Sequence, residues 1–337
     1  MDTDASDFAN ARWFPVDLHV PRLEYGFLHI DEEVLQRSTF LDNRIEAPLA
    51  DAVPVDLNLI ARSALPKTNT AWLFHTSFCG STLLARLLHL PPYQVVLREP
   101  LVLRRLSDAR HSQWPIDGLV LPTLRLLSRP WDAQGSVVIK PTHAALNIGL
   151  ELLAETPDSR GVILTSSLDD FLVSNLKKTP ETMAKIPALA ERALQAGTFH
   201  TRLSQAALAP PDLLAAATLQ WAAQRELCAD MLVAAGPQRL RVVEAAELLH
   251  DVVGVAWECA QWLGLSMPAE LFTSHAALVS KRNAKATGTD YDAGRRSAEI
   301  GMIKAAHGRQ LAAAHEWFEQ AVKPAMRAEA LMLTGTP

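Results

Sequence analysis

The sequence has few cysteines, no long apolar segment and no excess of positive charge. Its three cysteines, at positions 79, 228 and 259, are widely spaced, which gives no metal-binding signature and suits a reducing compartment. No run approaches the roughly 18 apolar residues that a membrane-spanning helix needs. The net charge of −5 and the pI of about 6.1 give no basic field that would favour nucleic acid or an anionic membrane. We therefore expect a cytoplasmic protein without a metal, nucleic-acid or membrane partner.

The chain also shows no internal repeat and no secretory pattern. Its first residues, Met1-Asp2-Thr3-Asp4, are acidic and carry no apolar segment, so no secretory signal is expected. The 337 residues are 49% hydrophobic, which is enough for the core of one large α/β domain. Residues 1–65 are rich in proline, aspartate and arginine and poorly periodic, and we interpret them as an N-terminal elaboration. The α/β domain is expected to occupy residues 66–337.

Short apolar segments alternate with helical segments along the chain. Strands are predicted at residues 71–75, 93–97, 137–139 and 162–164, and an amphipathic helix is predicted at residues 144–155. This alternation is typical of a parallel sheet flanked by crossover helices, in which ligands bind at the C-terminal ends of the strands. Long helices are predicted at residues 211–235, 245–264 and 297–320, which makes the C-terminal half rich in helix. The span 180–210 could form a helical lid over an acceptor.

The most informative segment runs from Phe74 to Leu88. An apolar strand leads there into a loop of small polar residues and then into an amphipathic helix that starts near Ser81. The first N–H groups of a helix have no partner within it, and the helix dipole favours negative charge at that end. Gly80 would let the backbone approach a phosphate, and Ser81 and Thr82 would add hydroxyl donors. The segment indicates either an anion-binding loop or a capped connection without a ligand.

Two familiar phosphate motifs do not fit this loop. A nucleoside-triphosphatase loop ends in Gly-Lys-Ser/Thr, but Ser81 stands where the lysine should be. A cysteine phosphatase has five residues between its cysteine and arginine, but Ala85 occupies that position relative to Cys79, and Arg86 is one residue too far. Cys79 could have a lowered pKa at a helix N-terminus, although a small residue that fits a crowded loop is the simpler interpretation.

Several segments resemble the cytosolic-type sulfotransferase superfamily, and in particular its bacterial branch. The loop after Phe74 resembles that family's P-loop-like 5′-phosphosulfate loop. Later segments resemble, in the same order, the strand ending in Lys-Thr-His (Val137–His143), the 3′-phosphate segment (Val162–Ser174), the strand before the Tyr-Glu-Asp-Leu element (Leu240–Leu249) and the basic loop that closes over the nucleotide (Lys281–Gly288). The resemblance covers roughly residues 70–290, and the shared order is more specific than any one segment.

This resemblance implies an enzyme that moves a sulfuryl group from 3′-phosphoadenosine 5′-phosphosulfate, a cosubstrate, to a hydroxyl or amine of a small molecule or glycan. The residues implied to bind the donor are Ser77, Phe78, Cys79, Gly80, Ser81, Thr82, Ser166, Ser174, Lys281, Arg282 and Lys285. Lys140, at the end of a predicted strand, is implied to neutralise charge on the moving group. A solvated lysine in a turn is the alternative interpretation of Lys140.

Two residues compete as the general base that takes the acceptor's proton. His143 resembles the family's catalytic histidine, although Pro141 shifts it by one position. Glu99 follows the second predicted strand in Leu97-Arg98-Glu99-Pro100, an element that looks like bacterial branches of the family, and we favour it slightly. Each has a simpler interpretation: His143 as a surface histidine, and Glu99 as the ion-pair partner of Arg98.

Two positions depart from the family pattern. Phe78 stands where the family usually carries Lys or Arg, and Ser166 stands at the arginine of the 3′-phosphate site, while Asp170, as a helix cap, and Ser174 keep their places. Basic residues that could replace the missing contacts are Arg98, Lys177, Lys178, Lys281, Arg282 and Lys285.

Without such replacement, the scaffold could serve a small-molecule kinase, another phosphate-donor transferase or a non-catalytic nucleotide-binding protein. The missing loop lysine and the lack of a clear magnesium-binding Asp pair argue against a kinase. The sequence leaves the acceptor and the oligomeric state open.

Overall fold

A computed structural model describes residues 7–63, 65, 70–133, 135–282, 284 and 293–333 of the chain. The strands of this part are β1 (Trp13–His19), β2 (Glu24–His29), β3 (Val53–Asp56), β4 (Thr70–His75), β5 (Gln94–Arg98), β6 (Ser136–Lys140), β7 (Gly161–Thr165) and β8 (Leu240–Glu244). Its α-helices are α1 (Glu32–Arg37), α2 (Leu57–Arg62), α3 (Ser81–Leu88), α4 (Leu101–His111), α5 (Asp117–Leu127), α6 (Gly149–Glu155), α7 (Leu168–Leu176), α8 (Pro180–Met183), α9 (Ile186–Gln195), α10 (Leu213–Ala235), α11 (Ala245–His250), α12 (Val252–Trp262), α13 (Ala269–Ser280), α14 (Ala293–Trp317) and α15 (Ala328–Leu331).

Five strands form a parallel sheet in the order β5-β6-β4-β7-β8. β4 comes first in the chain, which then moves to β5 and β6 on one side of it and later to β7 and β8 on the other. The carboxyl end of β4 therefore lies where the winding direction reverses, which is the place where ligands bind in open α/β sheets. The predicted α/β fold, with a parallel sheet and a helix-rich C-terminal half, is confirmed.

The central strands β4 and β7 are buried along their whole length, which explains their unbroken apolar sequences. Because successive side chains of a strand point to opposite faces, β4 contributes to two cores. Trp72 and Phe74 pack into the core shared with the N-terminal residues, whereas Leu73 packs into the core that contains Leu84 of α3 and Phe272 of α13.

The N-terminal segment forms an antiparallel sheet in the order β1-β2-β3. Phe14 and Phe27 of this sheet belong to the same hydrophobic core as Trp72 and Ile139 of the parallel sheet. The hydrophobic core is thus continuous across the predicted boundary between residues 65 and 66, and that boundary itself stays a prediction.

Arg129 fastens the N-terminal segment to the main domain. Its buried guanidinium donates hydrogen bonds to the carbonyl groups of Phe8, Asn10 and Trp13 at 2.7, 2.8 and 2.9 Å. A fourth bond, to the carbonyl of Leu126 at 2.6 Å, ties the side chain to the end of α5. Charged hydrogen bonds to buried carbonyl groups are among the stronger ones in proteins, so this side chain contributes substantially to the junction.

Helix α10 is buried on nearly all sides, and three successive residues of it hold different parts of the chain. Gln224 contacts the loop after β4, as described below. Arg225 donates hydrogen bonds to carbonyl groups within residues 330–333 of the C-terminal tail. Glu226 accepts from the backbone N–H and the guanidinium of Arg327, both at 2.7 Å.

Two predicted helices are divided in the structure. The segment 245–264 forms α11 and α12, because the Asp251 carboxylate accepts from the N–H of Gly254 at 2.9 Å and caps a new helix. The segment 144–155 begins as a 3₁₀ helix over His143–Ile148 before α6. The span 180–210 is largely helical, with α8, α9 and a 3₁₀ turn. In the described residues, every helix is too short or too polar to cross a lipid bilayer.

Replacing Arg129 by methionine is expected to destabilise the protein by at least about 3 kcal/mol, because several buried carbonyl groups lose charged hydrogen bonds of about 1.5 kcal/mol or more each. Urea denaturation followed by tryptophan fluorescence measures this change. Arg125→Met is the matched control, since Arg125 lies on α5 and its Nε atom has no hydrogen-bond partner within the described chain. A separate unfolding transition for the N-terminal sheet, or an effect no larger than that of the control, would contradict the shared core.

Candidate active site

A cavity of about 1360 Å³ lies at the carboxyl ends of β4, β5 and β6. The loop after β4 lines it, together with parts of α4, α7, α9 and α14 and the N-terminal segment around Phe40. The predicted site residues that line it are Ser77, Phe78, Cys79, Gly80, Ser81, Thr82, Glu99, His143, Ser174 and Arg282. Lys140 and Ser166 are buried and do not line the cavity, Lys281 is exposed away from its lining, and Lys285 lies outside the described residues.

Two residues with positive φ angles shape the loop after β4. The φ angle is +61° at Phe78 and +80° at Gly80, and such angles are strained for any residue except glycine. A Cβ atom on Gly80 would lie 3.7 Å from Leu248, an ordinary contact, so the backbone angle rather than lack of space explains the glycine. Helix α3 begins directly afterwards at Ser81, and its N-terminal end therefore faces the cavity.

Residues of α10 and of the end of β7 form hydrogen bonds to the start of this loop. The N–H of Ser77 donates to Gln224 Oε1 at 2.9 Å, and Gln224 Nε2 donates to Ser77 Oγ at 3.1 Å. The Ser166 hydroxyl lies 3.5 Å from the Ser77 carbonyl, and the carbonyl of Ser166 accepts from the indole of Trp221. Ser166 therefore supports the loop at a distance from the cavity.

Cys79 is a packed residue of this loop. Its thiol donates to the carbonyl of Thr76 at 3.0 Å, and burial raises its pKa above the ordinary value. The sequence-based alternative of a lowered pKa at this helix N-terminus is therefore wrong, because burial outweighs the helix end.

The centre of the site is a buried ion pair at the ends of β5 and β6. Lys140 Nζ donates to Glu99 Oε1 at 2.5 Å and lies 2.9 Å from His75 Nε2. Lys140 is fully buried, whereas 12% of the Glu99 side chain remains exposed toward the cavity. The φ angle of Glu99 is +58°, an unusual backbone conformation of the kind that concentrates at functional sites.

The hydrogen bonds define the protonation of this cluster. His75 Nδ1 lies 2.9 Å from the carbonyl oxygen of Thr76. Because a carbonyl can only accept, Nδ1 carries the proton and Nε2 accepts from Lys140. Burial lowers the pKa of His75 to about 3, and the charge of Lys140 acts in the same direction. Burial would raise the pKa of the Glu99 carboxyl, but the charge and hydrogen bond of Lys140 outweigh it and hold that pKa at about 2.

His143 lies at the start of the 3₁₀ helix after β6 and lines the cavity beside this cluster. Its ring centroid is 6.3 Å from that of His75. Burial lowers the pKa of His143 to about 4, although Glu99 opposes this shift. The imidazole is therefore neutral at pH 7, and its Nε2 atom is buried with no partner in the described part of the chain.

Lys178 brings a positive charge close to the phenylalanine of the loop. Its Nζ lies 5.0 Å from the centroid of the Phe78 ring, a cation–π distance, and Phe78 in turn packs against Phe171 of α7. Ser174 and Lys177 line the same side of the cavity. A positive charge thus stands next to Phe78, although it comes from the residues after α7 rather than from the loop.

Arg98 does not contribute to the cavity. Its buried guanidinium donates to the carbonyl groups of Leu35 and Ser38. The expectation that Arg98 could contact a donor is therefore wrong, and so is the alternative that it pairs with Glu99. Consecutive residues at the end of a strand point in opposite directions, and Glu99 meets Lys140 of the neighbouring strand instead.

Sequence reasoning missed a wall of the cavity that the N-terminal segment provides. The backbone of Leu41 donates to the Arg98 carbonyl at 2.6 Å and thereby runs alongside the end of β5. This places the Phe40 ring 5.9 Å from Lys140 Nζ, with the Arg44 guanidinium 3.9 Å from the same ring. The wall was missed because residues far apart in the chain form it and no local pattern marks them. α4 and α14 contribute further cavity residues that were not predicted: Arg104, Arg105, Asp108, Arg296 and Glu299.

No family model and no curated protein matches the sequence. Among solved structures, a sulfotransferase domain from the curacin biosynthetic pathway is 13% identical, with the match covering 61% of this chain and 77% of that chain at a TM-score of 0.38. A sulfotransferase from Alicyclobacillus acidocaldarius is 17% identical, with the match covering 74% of this chain and 97% of that chain at a TM-score of 0.39. Both are sulfotransferases, the family that the sequence motifs resemble. At these TM-scores neither likeness carries an argument, and function is inferred from the site itself.

Histidines that are buried in the neutral form make the protein sensitive to acid. The pKa values of His75 and His143 are about 3 and 4, below the usual 6.5. On acidification these histidines are therefore protonated in the unfolded chain before they are protonated in the folded one. The free energy of unfolding consequently falls as the pH decreases from 6.5 to 4. Each histidine contributes a slope of about 1.4 kcal/mol per pH unit. His143→Gln is therefore expected to reduce the slope by about this amount and to leave the pH dependence above pH 7 unchanged. Urea denaturation at a series of pH values measures it, and identical slopes would contradict the neutral, buried state.

Proposed function

We propose that the protein is a sulfotransferase-like enzyme that moves a sulfuryl group from 3′-phosphoadenosine 5′-phosphosulfate to a hydroxyl or amine acceptor. The observation that carries the proposal is the buried Lys140–Glu99 pair, whose Glu99 lines the same cavity as the N-terminal end of α3. The cavity volume of about 1360 Å³ exceeds the roughly 300–1,000 Å³ of common single-ligand pockets, which supports the binding of a donor and an acceptor together.

The loop after β4 would bind the donor's 5′-phosphate and sulfuryl oxygens. Backbone N–H groups of residues 79–82 and the hydroxyl groups of Ser81 and Thr82 are the donors that the loop offers. Gln224 holds the start of this loop through two hydrogen bonds to Ser77, so the N–H groups are positioned before the donor arrives.

The transferred sulfuryl group carries negative charge that is spread over its oxygens. Electrostatic stabilisation and positioning therefore supply most of the catalysis, as in phosphoryl transfer. The acceptor oxygen or nitrogen forms a bond to sulfur, and the bond from sulfur to the 5′-phosphate oxygen breaks. The acceptor's proton passes to Glu99. Adenosine 3′,5′-bisphosphate leaves with the bonding electron pair, and the ammonium group of Lys140 stabilises the charge that develops on the oxygens.

The roles of Lys140 and Glu99 depend on each other. With Lys140 bound to it, the Glu99 carboxyl has a pKa of about 2 and is a weak base. When the Lys140 ammonium turns toward the oxygens of the moving group, Glu99 loses the interaction that lowers its pKa, and burial then raises its affinity for a proton. The same movement of Lys140 would thus bring its positive charge to the sulfuryl oxygens and make Glu99 a stronger base.

The donor's 3′-phosphate would bind between α7 and α14. Ser174, Lys178 and Arg296 line this side of the cavity, and Arg282, just after α13, is a further cation of the cavity lining. These cations would replace the contacts that Phe78 and Ser166 do not make. The predicted contributions of Lys281 and Lys285 stay predictions.

The acceptor would bind against the N-terminal wall and α4. Charged pairs dominate this side: Arg44 with Asp42, and Arg104 with Asp108 at 2.8 Å. Such groups offer hydrogen bonds to hydroxyl, amine or carboxylate groups. A polar small molecule or a glycan fits this lining better than a flat apolar ring does.

Adenosine 3′,5′-bisphosphate should bind to the protein, and Lys178→Ala should weaken this binding by about 10- to 100-fold, because a lost charged hydrogen bond costs roughly 1.5–3 kcal/mol. Isothermal calorimetry measures the affinity, with AMP and magnesium-ATP as comparison ligands. Lys185→Ala is the matched control, since Lys185 is exposed and does not line the cavity. Binding of magnesium-ATP in preference to the bisphosphate would instead favour a kinase.

Glu99→Gln is expected to reduce turnover by at least about 100-fold, because glutamine keeps the hydrogen bond to Lys140 but cannot take a proton. Nucleotide affinity should stay nearly unchanged. Turnover is measured as release of the bisphosphate with an acceptor from a panel of hydroxyl and amine compounds. Glu270→Gln is the control, because Glu270 is an exposed carboxylate of α13 outside the cavity lining. Full activity of Glu99→Gln would remove Glu99 as the base.

A further inference from the structure

A small void lies beside the large cavity, between the 3₁₀ helix over His143–Ile148, α9 and α10. Its volume is about 20 Å³, and the polar residues that line it are His143, Asn147, Arg192, Gln220 and Gln224. His143 and Gln220 line both the void and the large cavity. A water molecule needs about 10–15 Å³ of such space and two to four polar partners, so the void has room for one water.

Arg192 contributes a hydrogen-bond donor to the set of residues that line the void. Its Nη1 pairs with Asp108 at 2.6 Å, and its Nη2 donates to Ser107 Oγ at 2.7 Å. The Nε atom is buried and has no partner among the residues that the structure describes. Because a guanidinium nitrogen cannot accept, Arg192 can only donate here.

Asn147 supplies an acceptor. Its Nδ2 donates to the carbonyl of Ser107 at 2.9 Å. Because the Ser107 carbonyl can only accept, the amide atom that faces it must be Nδ2. This bond fixes the orientation of the amide, and Oδ1 points away from Ser107 as an acceptor. Asn147 Oδ1 is buried and, like Nε of Arg192, is unpartnered within the described chain.

His143 completes the set, because its buried Nε2 is the third unpartnered atom of a residue on this void. We propose that a water molecule binds to Arg192, Asn147 and His143 in the void and fixes the tautomer of His143, with the proton on Nδ1. The water accepts from Arg192 and donates one hydrogen to Asn147 and the other to His143 Nε2. In the opposite tautomer the water would accept twice, and its second O–H would be paired only if the Gln220 amide presented its oxygen; the preference for Nδ1–H therefore rests on Gln220 presenting its N–H group instead. The amide of Gln220 can donate to the lone pair that remains.

The tautomer determines what His143 does in the proposed reaction, and this consequence rests on the proposed function. Nδ1–H then faces the large cavity, so that His143 donates a hydrogen bond to an oxygen of the acceptor or of the sulfuryl group. It cannot take the acceptor's proton in this form, which leaves Glu99 as the base. Asn147 and Arg192 are positioning residues that act through the water.

Nuclear magnetic resonance tests the tautomer directly in the intact protein. Two-bond proton–nitrogen correlations of the ¹⁵N-labelled chain distinguish a protonated from an unprotonated ring nitrogen, and His143→Gln identifies the signals of His143. The expected result at pH 7 is an unprotonated Nε2 and a protonated Nδ1. A proton on Nε2, an equal mixture of tautomers or a doubly protonated ring would overturn the proposal.

Asn147→Leu tests whether the water fixes the tautomer, because leucine fills the void and removes the acceptor. We expect His143 to lose its preference for Nδ1–H in this variant. Gln195→Ala, which removes an exposed amide from α9, is the control and should leave the spectrum of His143 unchanged. A retained Nδ1–H tautomer in Asn147→Leu would overturn the role of the water. The measurement on the native chain decides the tautomer even if this variant does not fold, and bisphosphate binding by calorimetry tests the proposed function separately.

Discussion

The buried ammonium group of Lys140 is the feature on which the arrangement of the site depends. A charge removed from water is costly unless it is paired and hydrogen-bonded, and two neighbouring strands meet this requirement. Glu99 supplies the opposite charge from the end of β5, through an unusual backbone angle. His75 supplies a neutral acceptor from the end of β4, because the carbonyl of Thr76 holds the proton on its other nitrogen. The order β5-β6-β4 puts Lys140 between these two partners.

The elements that local patterns specify were predictable from the sequence. Apolar strands, the glycine loop and the helix that starts at Ser81 lie within two residues of their predicted bounds. Lys140 and Glu99 were both recognised at strand ends, but their ion pair was not, because it depends on the order of strands in the sheet. The predicted partner of Glu99 was Arg98, its neighbour in the chain, and the alternation of side chains along a strand argues against that pairing.

The rest of the site could not be predicted because it is assembled from distant parts of the chain. The wall around Phe40 reaches the cavity because Leu41 pairs with the backbone of β5. Arg296 reaches it from α14, more than 200 positions after the loop that it faces. Neither segment carries a motif, and only the shared core of the N-terminal sheet and the main domain brings the first of them into place. Phe78 and Ser166 depart from the pattern of the sulfotransferases that the sequence resembles. In the structure, Phe78 packs against Phe171 beside Lys178, and Ser166 contacts Ser77 and Trp221.

Three consecutive residues of helix α10 connect the loop after β4 to the C-terminal tail. Gln224 holds Ser77, Arg225 holds the C-terminal tail, and Glu226 holds Arg327. Adjacent residues of a helix are separated by about 100° around its axis, so the insertion or deletion of one residue before Gln224 would turn all three contacts away together. The length of α10 before Gln224 is therefore constrained by all three contacts together. The position of the C-terminal tail is thus linked, through three consecutive residues of α10, to the loop that faces the cavity.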